Sequence, residues 1–144
     1  MAMTRLPTLA SDGKANIHAG AIGAGIDIRQ GTTLTAVHQS KIIAHHPDTG
    51  HHIEGIKIPG WDNLLLTAAK TFEMTGLGYI GVDLVIDLNR GTLLLELNAR
   101  PGLQIQAANE SGLWKRLESV DSAPPEVFAS PEARITWAKN AFSY

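Results

Sequence analysis

Apolar and polar residues alternate with a period of two through the first part of the chain, in short segments parted by turn residues. MAMTRLP (1–7) sets Met1, Met3 and Leu6 among polar positions and starts at full strength, with no turn or cap before it. TLASDGKANIHAG (8–20) is a loop by its Ser, Asp, Gly and Asn content, and AIGAGIDIR (21–29) resumes as a strand with Ile22, Ile26 and Ile28 at even spacing. TTLTAVH (32–38) and KIIAHH (41–46) are further β-branched strands, and the turn PDTG (47–50) leads into HHIEGIKI (51–58). After Pro59 and Gly60 the period changes. In WDNLLLTAAKTFEMTG (61–76), Trp61, Leu65, Ala68 and Phe72 fall on one helical face, and Gly76 is placed as the stop. YIGVDLVID (79–87) and TLLLELN (92–98) then form a hairpin through LNRG, and a looser stripe of Ile105, Ala108, Leu113, Leu117 and Val120 predicts a second helix. DSAPPE (121–126) is a loop, after which Ser130 as N-cap and Pro131 as first helical residue open a short terminal helix. Strands, helix, hairpin, helix is the order of an α+β fold: an antiparallel sheet with helices packed on one face.

One strand breaks the apolar pattern in an informative way. Side chains alternate faces along a strand, so in LLLELNARPG (93–102) Glu96 and Asn98 point one way while Leu95, Leu97 and Ala99 point the other. Residues directly opposed across a hairpin share a face. A connecting loop of even length therefore brings Asp83 opposite Glu96, and a loop of odd length breaks that arrangement. Two carboxylates and an amide on one face are the hard oxygen donors that Mg²⁺ accepts, with waters and substrate phosphates filling its octahedron. The plain alternative is polar decoration on the solvated face of a half-buried sheet.

Composition narrows the field. The 144 residues suffice for about one domain, and 44% hydrophobic with 18% charged residues is ordinary for a globular chain. Twelve Lys and Arg against 14 Asp and Glu give a net charge of -2 with no basic stripe, so nucleic acid is not the expected partner. The absence of cysteine excludes disulfides and thiolate metal sites. The N-terminus lacks a sustained apolar stretch, and no apolar run approaches the roughly 20 residues that span a bilayer, so a cytoplasmic location is expected.

Three other features invite chemistry. The histidines at 45, 46, 51 and 52 either ligate Zn²⁺ across a hairpin or are turn residues; adjacent strand histidines face opposite ways, so at most one of each pair converges. The Asp48-Thr49-Gly50 triplet resembles an aspartic protease signature, but only one copy occurs, and an ordinary turn fits better. GAIGAGID (20–27) has phosphate-loop glycine spacing, yet a strand follows it where a dinucleotide fingerprint needs a helix, so its glycines give room for close approach of backbone, or of a nucleotide. Trp61, Trp114 and Trp137 are expected as helix anchors in the core.

GVDLVID…GTLLLELNARPGL resembles the C-terminal metal-binding hairpin of ATP-grasp carboxylate-amine ligases, where a G-V-D strand precedes an E-x-N strand and a Pro-Gly turn. Upstream, RLPTLASDGKANIHAGA is similar to the segment of alpha-L-glutamate ligases in which a basic residue, one spacer and Asn-hydrophobic-His introduce the ATP-facing strand. The sugar-transfer-associated ATP-grasp group is the nearest likeness. The resemblance implies ATP with Mg²⁺ or Mn²⁺ as cofactors: Asp83 and Glu96 on one metal ion, Glu96 and Asn98 on a second. Lys14 and Asn16 would lie near the transferred phosphate, Arg100 near a substrate carboxylate or phosphate, and Gly102 where backbone approaches ligand. Arg5 matches the arginine of the preceding flap strand, and Lys14 stands where many relatives carry arginine, which keeps the charge but loses the bidentate fork. His18, inside the Asn-Ile-His motif, is either a ligand or a loop histidine. The implied reaction is ADP-forming ligation of a small-molecule or peptide carboxylate to an amine through an acyl phosphate; a non-catalytic binding or regulatory module with the same fold is the alternative. The resemblance further implies a C-terminal ATP-grasp subdomain over 1–121, a linker and short helix over 122–144, and a partner in the N-terminal half of the fold, without which these residues alone are expected to be inactive. The unpaired edge of the first strand predicts a homodimer.

Overall fold

The computed structural model describes residues 1–142. Four strands, β1 (Ala2–Leu6), β2 (Ile22–Ile26), β3 (Thr33–His38) and β4 (Lys41–Ile43), form an antiparallel sheet in that order, with β1 and β4 at its edges. All five residues of β2 are buried because both faces of the strand are covered. Ile22 and Ala24 pack with Ala36 and Ile53 into the main core, flanked by Leu6 and Ile43. On the other face Gly23 and Gly25 admit helix α3 (Gln104–Ala108): a Cβ on Gly25 would stand 2.4 Å from the Ala108 carbonyl oxygen. The glycine-rich run is thus explained by close backbone approach, and the backbone that approaches is a helix end.

The segment expected as the strand HHIEGIKI pairs only at isolated points, His45 with His52 and Thr32 with Lys57. Gly55, at φ 81°, turns the chain away between them. The segment still closes the core, since Thr33 Oγ1 donates to the Ile53 carbonyl and the Gly55 and Thr33 amides exchange bonds with Thr33 and Ile56.

The expected first helix is two pieces, α1 (Trp61–Ala69) and α2 (Thr71–Thr75), and Gly76 ends it in the left-handed conformation with its N–H on the Phe72 carbonyl. Trp61 is anchored: its indole N–H donates to the Ile28 carbonyl at 2.8 Å and its ring lies on Gly31, where a Cβ would come within 2.3 Å. The buried positions are Leu64 and Thr71, whereas Phe72 lies at the surface beneath the Arg134 guanidinium. The expected second helix is also divided, into α3 and α4 (Trp114–Asp121). The break falls after Asn109, whose side-chain amide donates to the Ile105 and Ala2 carbonyls, and Glu110 follows at φ 45°. Trp114 is 71% exposed, so it does not anchor a core; Trp137 is half-buried, edge-on to Phe142.

Ser130 caps α5 (Pro131–Ala141) through the Ala133 amide, as its sequence predicts. α5 lies antiparallel on α1, tied at one end by Arg134 to the Ala69 carbonyl and the Glu73 carboxylate, and at the other by Lys139 to Asp62. Strands β5 (Gly81–Asp87) and β6 (Gly91–Asn98) form a separate antiparallel pair that packs against α1 through β6. The chain is α+β with antiparallel sheets, as its pattern predicts, in two sheets where one was expected. Among the described residues no helix is long and apolar enough to cross a membrane.

Candidate functional site

The connection between β5 and β6 is Leu88, Asn89 and Arg90, a loop of odd length. Counted from Asp87 opposite Gly91, a regular ladder would seat Asp83 against Leu95. A β-bulge intervenes. Leu84 pairs with Leu94 and Asp83 with Glu96, so Leu95 is left without a partner and the register shifts by one. The two carboxylates are directly opposed on one face, and Asn98, opposite Gly81, follows on the same face. The arrangement expected from an even loop arises from an odd loop and a bulge.

Two contacts fix this end of the hairpin. Asn98 Oδ1 accepts the Arg100 amide at 3.0 Å, an Asx turn that folds the chain into Arg100, Pro101 and Gly102. Pro101 then lies on Gly81, where an added Cβ would come within 2.7 Å of the ring. Arg100 and Gly102 are exposed, and nothing stands within 4 Å of a Cβ at Gly102. Arg5 reaches across from β1, its Nη2 donating to Asp83 Oδ1 at 2.7 Å. That ion pair is open to water, at 38% and 42% side-chain exposure.

The loop between β1 and β2 is built around a small polar knot. The Thr8 and Ser11 side chains bond each other's backbone, and Thr8 Oγ1 donates to the Gly20 carbonyl at 2.8 Å, so both residues are buried yet satisfied. The histidine-rich turn holds this loop from outside. Asp48 Oδ2 accepts the Leu9 amide at 2.8 Å, and His46 Nε2 lies 3.0 Å from the Pro7 carbonyl. Sequence reasoning weighed His46 and Asp48 as zinc and protease signatures and missed this clamp, because a contact between residues 39 apart leaves no mark in local spacing. Among the described residues no three of His, Cys, Asp and Glu gather as a metal site. His45 and His52 meet ring to ring at 5.2 Å without a third ligand.

Above the knot the loop presents Lys14 and Asn16. Lys14 pairs with Asp12 at 3.1 Å, both exposed. Asn16 Oδ1 accepts the His18 amide at 2.9 Å and so caps the 3₁₀ turn Ile17–Ala19. The structure thus brings Asp83, Glu96 and Asn98 onto one face, with Arg5 paired to Asp83; Lys14 and Asn16 sit on the loop that continues from β1, and Arg100 and Gly102 on the turn after β6.

The donor set fits Mg²⁺. It consists of two carboxylates and an amide oxygen at solvent-accessible positions, without nitrogen or sulfur, and the cation already resting on Asp83 shows that the face takes positive charge. A family model described as sugar-transfer associated ATP-grasp matches residues 1–122, a span that includes both the Lys14 loop and the carboxylate hairpin. Comparisons with curated proteins and with solved structures find no match. With the match covering most of the chain, and the two motifs brought to neighbouring elements, the chain belongs to the sugar-transfer associated ATP-grasp family.

Proposed function

We propose that these residues form the Mg-ATP-binding C-terminal half of an ADP-forming carboxylate-amine ligase that works through an acyl phosphate. The observation that carries the reading is the bulged register, which sets Asp83 against Glu96 with Asn98 beside them on one face. Asp83 with Glu96, and Glu96 with Asn98, are the pairs that would hold metal. When bound, Mg²⁺ neutralises charge on the β- and γ-phosphate oxygens.

The chain's own groups do the rest. Lys14 offers an ammonium whose present bond to Asp12 is an exposed surface pair, weak in water, so a phosphate can replace Asp12 at little cost. Asn16 uses its oxygen as a cap, which leaves the amide nitrogen to donate. Arg100, exposed on the turn after β6, would bind a substrate carboxylate, and Gly102, with no atom within 4 Å of an added Cβ, would let ligand approach the backbone closely. In the reaction a carboxylate oxygen attacks the γ-phosphorus and ADP leaves; the amine nitrogen then attacks the acyl carbon and phosphate leaves. The adenine pocket is assigned to the N-terminal half of the fold, supplied as a second subdomain.

The test is release of ADP and phosphate by the complete gene product across candidate acids, with hydroxylamine as the trapping amine. Acid-dependent acyl hydroxamate is expected, and Glu96→Gln should abolish it together with the rise in melting temperature that millimolar Mg²⁺ produces. A protein that binds Mg-ATP but forms no ADP with any acid would instead be a binding module on the same fold.

A further inference from the structure

A groove of about 400 Å³ opens between the 3₁₀ turn Ile17–Ala19, the β3–β4 turn and α3, on the face of the main sheet opposite the Ile53 core. Its size is within the range of small-molecule sites. Part of the lining is apolar, from Ile17, Val37, Ile42 and Ala107, and Gly23 among them contributes no side chain. The rim is polar: His18, Gln39, Ser40, Gln104 and Glu110. None of these five side chains has a hydrogen-bond or ion-pair partner among the described residues.

The backbone of the rim is unusual. Among the described residues four non-glycines have positive φ, and three of them stand here: Gln39 at 49°, Ser40 at 64° and Glu110 at 45°. Gln39 and Ser40 are the two-residue turn joining His38 to Lys41, a turn with both central residues left-handed that Asn-Gly would satisfy without strain. Left-handed backbone at ordinary side chains is strained and concentrates at ligand sites. Here three such residues carry polar side chains to the mouth of one groove.

Charge selects the ligand. Among the described residues Glu110 is the only carboxylate in the lining, and no lysine or arginine accompanies it. An anion would meet the Glu110 carboxylate with no lysine or arginine to offset it, whereas a protonated amine with a short apolar body matches both the carboxylate and the apolar lining. The groove also adjoins the Lys14 loop, because the His18 amide on its rim is bonded to Asn16 Oδ1. We propose that this groove binds the amine substrate, an alkyl-bearing primary amine held through Glu110. The fate of that amine rests on the ligase reading above; its binding does not.

The experiment follows the ¹⁵N-labelled chain by NMR without ATP or metal, titrated with n-butylamine, butanoate and butanol. Amine-specific shifts are expected at Gly23, Gln39, Ser40 and Glu110. Glu110→Gln should weaken n-butylamine by about tenfold, as for loss of a charge-assisted bond. Ile42 is 66% exposed, so Ile42→Ser is compatible with folding, and it should weaken n-butylamine more than ethylamine. Butanoate binding as well as the amine, shifts confined to Asp83 and Glu96, or affinity unchanged by both substitutions would overturn the assignment. Failure of this titration leaves ADP formation untouched, and failure of ADP formation leaves the titration untouched.

Discussion

At the scale of single residues, two glycines near the hairpin do opposite things. Gly81 has no room: the 2.7 Å between its added Cβ and Pro101 involves a ring that cannot swing aside. Gly102 has nothing within 4 Å and no positive φ, so an alanine fits there without strain. Gly81→Ala should therefore cost about 1–3 kcal/mol, read as a lower midpoint in denaturant, as overpacked sites do. Gly102→Ala should leave that midpoint unchanged, and any ADP-forming activity it removes belongs to ligand approach. Equal midpoints for both variants would mean that Pro101 does not pack on Gly81. The sequence displayed Glu96, Asn98 and the Pro-Gly turn because alternation along one strand is local. It could not display the Gly81–Pro101 contact, or the Asp48 bond to the Leu9 amide, because spacing along the chain does not report which loops meet in space.

Among elements, the bulge at Leu95 decides whether the carboxylates share a face. Nothing in LLLEL marks it, since consecutive leucines erase the phase that alternation would otherwise carry through the strand. The α+β class and the terminal helix were legible from periodicity and capping, whereas the apolar stripe ran through the break after Asn109, although Asn109, Ser111 and Gly112 are turn-forming residues there. Deleting Leu95 removes the unpaired residue and leaves every other pairing possible, so Asp83 should still oppose Glu96 and the Mg²⁺-dependent rise in melting temperature should survive. Deleting Leu97 shifts Asn98 to the opposite face from Glu96 and should weaken that response. A second element-level expectation concerns α5. The Arg134 hydrogen bond holds the Glu73 carboxyl below its usual range. A carboxyl lowered on folding stabilises the fold above its unfolded value, about 4.3 for glutamate, and that contribution is lost as pH falls through the folded value. Melting temperature should thus fall on acidification across this window, and Glu73→Gln should flatten that part of the profile. An unchanged acid limb in the variant would remove Glu73 from the account.

For the molecule as a whole, burial is uneven. β2 is covered on both faces, while the hairpin shows Leu88 fully and Leu95 at 68% exposure and leans on α1. The Arg5–Asp83 pair crosses from the main sheet to this thinner part. On the proposed Mg²⁺ reading, loading the hairpin would exchange one cation for another, and the guanidinium would compete and raise the apparent dissociation constant. Arg5→Gln should bind Mg²⁺ more tightly than the parent chain, yet melt slightly lower in EDTA, by the 0–1 kcal/mol or so of an exposed pair. Weaker Mg²⁺ binding in that variant would show Arg5 assisting the ion. The exchange also has a mechanical side: whatever displaces Arg5 unlatches β1 from the hairpin. Metal should then speed deuterium uptake at the ends of β1 while slowing it in β5 and β6, so that occupancy loosens one sheet as it stiffens the other.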